Sequence, residues 1–238
     1  MVGLGTMINA AAIAAGGILG MLFGKAMKPN VRDGLFTACG VATIFLGIAG
    51  TMEGMLTPGD GKLTSGGTML LIGSLALGAL VGELLDLENK MERFGIWLKQ
   101  KTGNAKDAGF VDAFVNASLT VCIGAMAIVG AIQDGLTGDY STLAAKAILD
   151  FIIIMVMACS MGRGCAFSAI PVAVFQGTIT AAAGLVRPLM TDAALANLST
   201  VGSVLIFCVG VNLVWGKKIR VANLLPAVFF AAAAAFLQ

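Results

Sequence analysis

"AKAILDFIIIMVM", residues 145–157, sets one carboxylate, Asp150, inside an otherwise apolar run. The run belongs to a longer block, residues 143–161, close to the roughly 20 residues a helix needs to cross a bilayer. Insertion scales put an aspartate at the centre of such a helix at about 2.5–3.5 kcal/mol, so the side chain must face the bundle interior or a water-filled cavity. Asp150 lies roughly 10 Å below the first residue of the block at 1.5 Å per residue. Lys146 stands one turn earlier, at the i, i+4 spacing that allows pairing. Two readings follow: an ion pair or protonated acid that fixes helix packing, or a site that binds or exchanges a cation or a proton.

The rest of the chain is of the same kind. Of its 238 residues 58% are hydrophobic and 12% are charged, against about 45–50% and about 25% for soluble domains. So few charges cannot coat a soluble globule of this size. Eight apolar blocks are expected to span the membrane, near residues 4–24, 34–56, 67–86, 110–131, 143–161, 165–186, 196–215 and 221–237. They are continuous, without the alternation of a membrane barrel. The expected fold is an all-α polytopic helical bundle forming a single integral membrane domain over 1–238. The first block is not a cleaved signal peptide, because Lys25, Lys28 and Arg32 follow the apolar stretch.

Basic residues set the orientation. With the N-terminus outside, Lys25, Lys28, Arg32, Lys90, Arg93, Lys99, Lys101, Lys106, Arg163, Lys217, Lys218 and Arg220 fall on the inner side. Only Lys62, Lys146 and Arg187 fall outside, which supports N-out and C-out. The net charge of +2 therefore reflects topology and does not point to nucleic acid. The five cysteines lie in or near spans with no metal-type spacing and read as buried thiols.

The longest connection holds "LENKMERFGIWLKQK", residues 87–101. Leu87, Met91, Phe94 and Leu98 share one face, with charges opposite, as in a helix lying in the cytoplasmic interface. The chain also resembles itself. "GTMINAAAIAAGGILGML" (5–22) aligns with "GTMLLIGSLALGALVGEL" (67–84) at an offset of 62. A weaker register relates the second and seventh spans, matching Leu35, Thr37, Val41 and Gly47 to Leu198, Thr200, Val204 and Gly210. Those two spans run in opposite directions, as in the inverted repeats of secondary transporters. Gly16/Gly20 and Gly78/Gly82 are GxxxG pairs that let helix backbones approach. They suit contacts within one chain or across a homodimer.

The polar residues within spans are the candidate site. Asn116, Thr120 and Gly124 recur every four residues in the fourth span, and Gly124 can break the helix and free carbonyls for an ion. In the sixth span a kink is expected at Pro171, ahead of Gln176 and Thr178. Asn9 and Asn212 add single amides, which in membrane helices also serve as interhelical contacts. Asp134 and Asp139 read as solvated turn residues. Arg163 sits in a glycine turn, where it either obeys the inner-charge rule or attracts an anion. The chain has no His, no phosphate-binding loop and no second acid to pair with Asp150. No catalytic residue, metal site or cofactor is expected, and the chain does not read as an enzyme.

The runs "FVNASLTVCIGAMAIVGAIQDGLTGDYSTLAAKAILD", "VGVNLVWGKKIRVANLLPA", "GTMINAAAIAAGGILGMLFG" and "VGELLDLENKMERFGIWLK" resemble the YqgA/YdfK-like family of bacterial polytopic membrane proteins, a family of unknown function. The resemblance covers nearly the whole chain. It implies a multi-pass protein of the bacterial inner membrane. Members are often labelled transport proteins, with no substrate or catalytic residue to carry over. The expected function is a secondary transporter or channel for an ion or small polar solute. Asp150 would bind the cation or proton, with Asn116, Thr120, Gln176 and Thr178 as neutral ligands. The alternative is a non-transporting scaffold or signalling component, for which a dry interior with Asp150 tied to Lys146 is the expected mark.

Overall fold

The computed structural model describes residues 2–59 and 62–236. The side chain of Arg32 and residue Leu237, the last of the eighth expected span, lie outside the described residues. Among the described residues the secondary structure is helical apart from one antiparallel hairpin, Leu56–Gly59 with Lys62–Ser65, which pairs Thr57 with Thr64. Backbone contacts gather the chain into two compact units interleaved along the sequence.

The first unit comprises Met1–Cys39, Lys90–Cys122 and Met126–Arg187. Its main seam joins α1 (Leu4–Ala26) to α7 (Ser141–Met161). Gly16 lies over the carbonyl of Phe151, Gly20 over that of Met155 and Gly24 over that of Cys159. Both numbers climb by four, so the two helices run parallel. A Cβ at Gly16 would sit 2.5 Å from the Phe151 oxygen, closer than any side chain tolerates. Here glycine is required by backbone contact, the dominant packing force between helices in lipid.

α5 (Phe110–Cys122) packs on α7 and on a 3₁₀ segment, Arg163–Ser168, where Gly164 meets the Phe110 carbonyl. The 3₁₀ segment leads into α8 (Ala169–Ala181). Pro171 therefore falls in the first turn of α8, where its missing N–H costs no helical hydrogen bond. The kink expected in mid-span is instead a helix start. α8 continues through a short turn, α9 (Ala183–Val186), and a 3₁₀ segment at Arg187–Leu189.

The second unit comprises Gly40–Asn89, Ile123–Ala125 and Pro188–Gln238. The later part of α2 (Pro29–Met55) packs antiparallel to α10 (Asp192–Trp215). Gly47 rests on Phe207, Gly54 on Thr200, and Gly210 on Ile44. α3 (Thr68–Leu85) runs antiparallel to the pair α11 (Val221–Leu224) and α12 (Pro226–Ala234). Gly78 meets Ala227 and Gly82 meets the Asn223 carbonyl. Both GxxxG pairs are thus used inside the chain. α4 (Leu87–Lys101) matches the amphipathic segment in its bounds; from Lys90 on it belongs to the first unit, where Phe94 stacks on Trp97 and packs against Phe114 of α5.

Among the described residues, six helices are long and apolar enough to cross a membrane. Two of the expected spans differ. The fourth is broken into α5 and α6 (Ala125–Thr137), bent by 64°. The break falls at Gly124, whose φ of 151° is open to glycine and not to other residues. The eighth is a shorter apolar helix, Val221–Ala234, with helical backbone kept through Leu225 ahead of Pro226. Val221–Ala234 reaches roughly 21 Å at 1.5 Å per residue, short of about 30 Å of hydrocarbon.

Polarity is arranged for lipid. Met69, Phe45, Ile148 and Val174 are exposed, while Asn9, Gln176, Asp134 and Ser168 are completely buried. This is a helical membrane protein. Replacing Gly20 by Val is expected to push α1 off α7 at a cost of about 1–3 kcal/mol. Gly73→Val, at a position with open space around it, is the matched control. Thermal unfolding in detergent should separate the two variants; equal midpoints would count against the seam.

Candidate functional site

The centre of the first unit holds the polar residues. Lys146 Nζ lies 2.5 Å from Asp150 Oδ2, both nearly buried. Lys146 also donates to the carbonyl of Val121 at 2.9 Å. That carbonyl is in the last turn of α5 and has no helical partner, because Gly124 ends the helix there. The ammonium thus sits at the negative end of a helix dipole and against a carboxylate at once. The break and the ion pair depend on one another.

α1 supplies the next layer. The Asn9 amide, wholly enclosed, faces Asp150 and donates from Nδ2 to Gln176 Oε1 of α8 at 3.3 Å. One turn along both helices, the hydroxyls of Thr6 and Thr180 meet at 3.4 Å. One turn further, the Asp134 carboxylate accepts from the amides of Gly3 at 3.2 Å and Gly5 at 3.0 Å. Asp134 is fully buried, which corrects its reading as a solvated turn residue. The bend at Gly124 carries α6 to the start of α1, where free amide donors hold the carboxylate in place of water. Asp139 lies in the loop before α7; donation by the Ser141 amide at 2.9 Å holds its carboxyl below the usual aspartate range.

Two buried polar atoms of this cluster have no partner among the described residues: Asn9 Oδ1 and Gln176 Nε2. Flipping both amides together exchanges the orphans without removing them, and flipping one alone would also break the Asn9–Gln176 bond. An acceptor and an NH₂ group therefore point into the interior unused. Such groups ordinarily hold a water or a ligand.

The other expected site residues separate by face. Gln176, Asn9, Lys146 and Asp150 come together. Thr120 turns its hydroxyl back to the Asn116 carbonyl at 2.8 Å, and both residues are half-buried on α5. Thr178 is exposed, bonded to the Val174 carbonyl of its own helix at 2.6 Å. It lines an apolar groove of about 450 Å³ with Phe94 and Phe175. Thr180, two residues on, takes the interior place assigned to Thr178. Asn212 belongs to the second unit and clasps a turn, accepting from the Lys218 and Ile219 amides at 2.9 Å and donating to the Ile219 carbonyl at 2.7 Å. Arg163 is exposed and donates to Asn104 Oδ1 at 2.9 Å. Thr6, Thr180 and Asp134 are the members that sequence patterning missed. Only the four-residue spacing of Gln176 and Thr180 marked any of them.

The family model described as "Protein of unknown function (DUF554)" matches residues 4–236. The chain is similar to "Uncharacterized protein YqgA" of Escherichia coli (strain K12), 31% identical over 232 residues, covering 96% of this chain and 94% of the relative. It is also similar to "Uncharacterized membrane protein YdfK" of Bacillus subtilis (strain 168), 30% identical over 223 residues, covering 94% and 91%. No solved structure matches it.

Two stability outcomes follow from the cluster. Lys146→Met should cost about 3–5 kcal/mol by stranding a buried carboxylate, and adding Asp150→Leu should restore most of that loss. Thermal unfolding of the single and double variants checks the pairing. Asp134→Ala should lower stability by about 1–2 kcal/mol through loss of the α1 cap; an unchanged midpoint would refute that role.

Proposed function

This chain belongs to the DUF554 family, a family with a named membrane protein among its relatives, and we propose that it is a secondary transporter or channel of the bacterial cytoplasmic membrane for a proton, a small cation or a small polar solute. The observation that carries the reading is the Lys146–Asp150 pair in mid-helix, with two half-used amides beside it. A bare carboxylate would hold a cation permanently. This one is neutralised by a built-in ammonium, so an incoming cation or proton competes with Lys146 for Asp150. The displaced ammonium keeps the Val121 carbonyl. Binding takes the neutral pair to a net charge of +1 in a medium where net charge is expensive, and that penalty favours release.

The topology proposed with this function is eight crossings, N-out and C-out, with α4 on the cytoplasmic surface. Within the first unit, α1 and α7 run parallel while α8 opposes α1, as alternate crossing requires. Within the second, α2 opposes α10 and α3 opposes α11 and α12. Gly47 and Gly210, matched in the inverted register, each mark a close approach of the other helix. In this reading the protein has no catalytic role. Its partners are the bilayer, the transported species and, as a further element of the proposal, a second copy of the chain.

One observation favours the scaffold alternative: Asp150 is tied to Lys146 in an enclosed interior. Against it, the GxxxG faces it needs for partners are already occupied. Flux in proteoliposomes decides. Asp150→Asn keeps an acceptor for Lys146, so the variant should fold while its proton or tracer-cation flux falls at least tenfold. Wild-type flux in a folded Asp150→Asn protein would overturn the site assignment.

A further inference from the structure

The polar residues of the first unit form a file, not a patch. From the start of α1 inward come Asp134, the Thr6–Thr180 hydroxyl pair, the Asn9–Gln176 amide pair, and then Asp150 with Lys146. Thr6 and Asn9 are three apart on α1, and Gln176 and Thr180 four apart on α8, so each helix presents its members on one face. All are less than a tenth exposed. Apolar helices do not need such a row for packing. Each polar group carries a desolvation cost, and this row leaves two of its groups unpaired.

We propose that this file conducts protons between the Asp134 end of α1 and Asp150, through water held by Asn9 Oδ1 and Gln176 Nε2, so that the ion exchanged at Asp150 is a proton. The inference rests on the transport reading above and names its coupling ion. Amide side chains do not themselves pass protons. Their orphaned acceptor and donor are what one water needs, since it donates to the oxygen and accepts from the nitrogen. The hydroxyls above it both donate and accept, and extend the chain of hydrogen bonds.

The step balances. A hydronium in the file gives its proton to an Asp150 oxygen; one O–H bond forms, one breaks, and water is left behind. The cluster gains one positive charge, carried by the Lys146 ammonium on the Val121 carbonyl. It loses that charge when Asp150 releases the proton. The groups facing Asp150 are Lys146 on its own helix, the Asn9 amide on α1 and the Cys122 thiol on α5. In the topology proposed here the Asp134 end of the file lies toward the outer side.

The test is proton flux in proteoliposomes carrying a pH-sensitive dye, driven by a potassium diffusion potential, with rubidium as the tracer cation. Asn9→Leu with Gln176→Leu removes the orphaned groups along with their one mutual bond. It should cut proton flux at least tenfold without lowering the thermal midpoint, an outcome that simple interhelical glue would not give. A lowered midpoint with flux intact overturns the inference. Thr180→Val is the milder second variant and should slow proton flux several-fold; unchanged rates in both folded variants overturn it too. A wild type that carries rubidium but no protons refutes the proton file and leaves the transport reading standing. A wild type that carries neither refutes the proton file and, with it, the ion-transport part of the reading above.

Discussion

The contact on which the first unit depends is backbone on backbone. Gly16, Gly20 and Gly24 seat α1 against the carbonyl edge of α7, and no larger residue fits at these places. In lipid there is no hydrophobic reward for bringing helices together, so closeness itself must supply the attraction. The parallel seam has a second effect. It brings Asn9, about two turns before Gly16 on α1, against the Asp150 carboxylate. α8 then closes over the other side of Asn9 with Gln176.

The ion pair makes sense only together with the break at Gly124. An ammonium buried with one carboxylate alone still has donors to satisfy. Ending α5 at Cys122 exposes the Val121 carbonyl to serve one of them. The same break redirects α6 so that Asp134 caps α1. Stability alone does not account for the arrangement. Buried pairs can often be exchanged for apolar residues without loss. Under the transport proposal, keeping Lys, Asp, Asn and Gln on three helices is the cost of holding an exchangeable charge.

Much of this was legible in the sequence because membrane helices leave few explanations for a polar residue. Asp150 with Lys146 one turn away, glycines every four residues, and Gly124 as a breaking point all carry their physics in their spacing. What was not legible depended on which face turned inward. Thr178 and Thr180 lie about 200° apart on a helix of 3.6 residues per turn, and α8 is apolar all round, so nothing in its pattern chose between them. Asp134 looked solvated because its partners, the amides of Gly3 and Gly5, are more than a hundred residues away. Asn212 looked like a site within a span, yet it serves the turn that follows its helix. The eighth apolar block looked longer than the helix it forms, Val221–Ala234.

The two glycine pairs in the 62-residue register show what such a motif determines. Gly16 and Gly20 seat a parallel neighbour; Gly78 and Gly82 seat an antiparallel one. The motif fixes closeness, and the connections fix direction. The second seam also ends in polar residues. Glu88, nearly buried, takes the Ala222 amide at 2.9 Å and pairs with Lys217 at 3.0 Å, while its own N–H donates to Asn223 Oδ1 at 2.7 Å. These groups stand at helix ends, where free amides and a half-exposed lysine make a carboxylate affordable. Asp150 has neither advantage. It sits in mid-helix, on a backbone whose amides are already bonded, and relies on side chains from its own and a neighbouring helix. That difference, a charge in mid-helix beside amides left half-used, is what the proton-file proposal rests on.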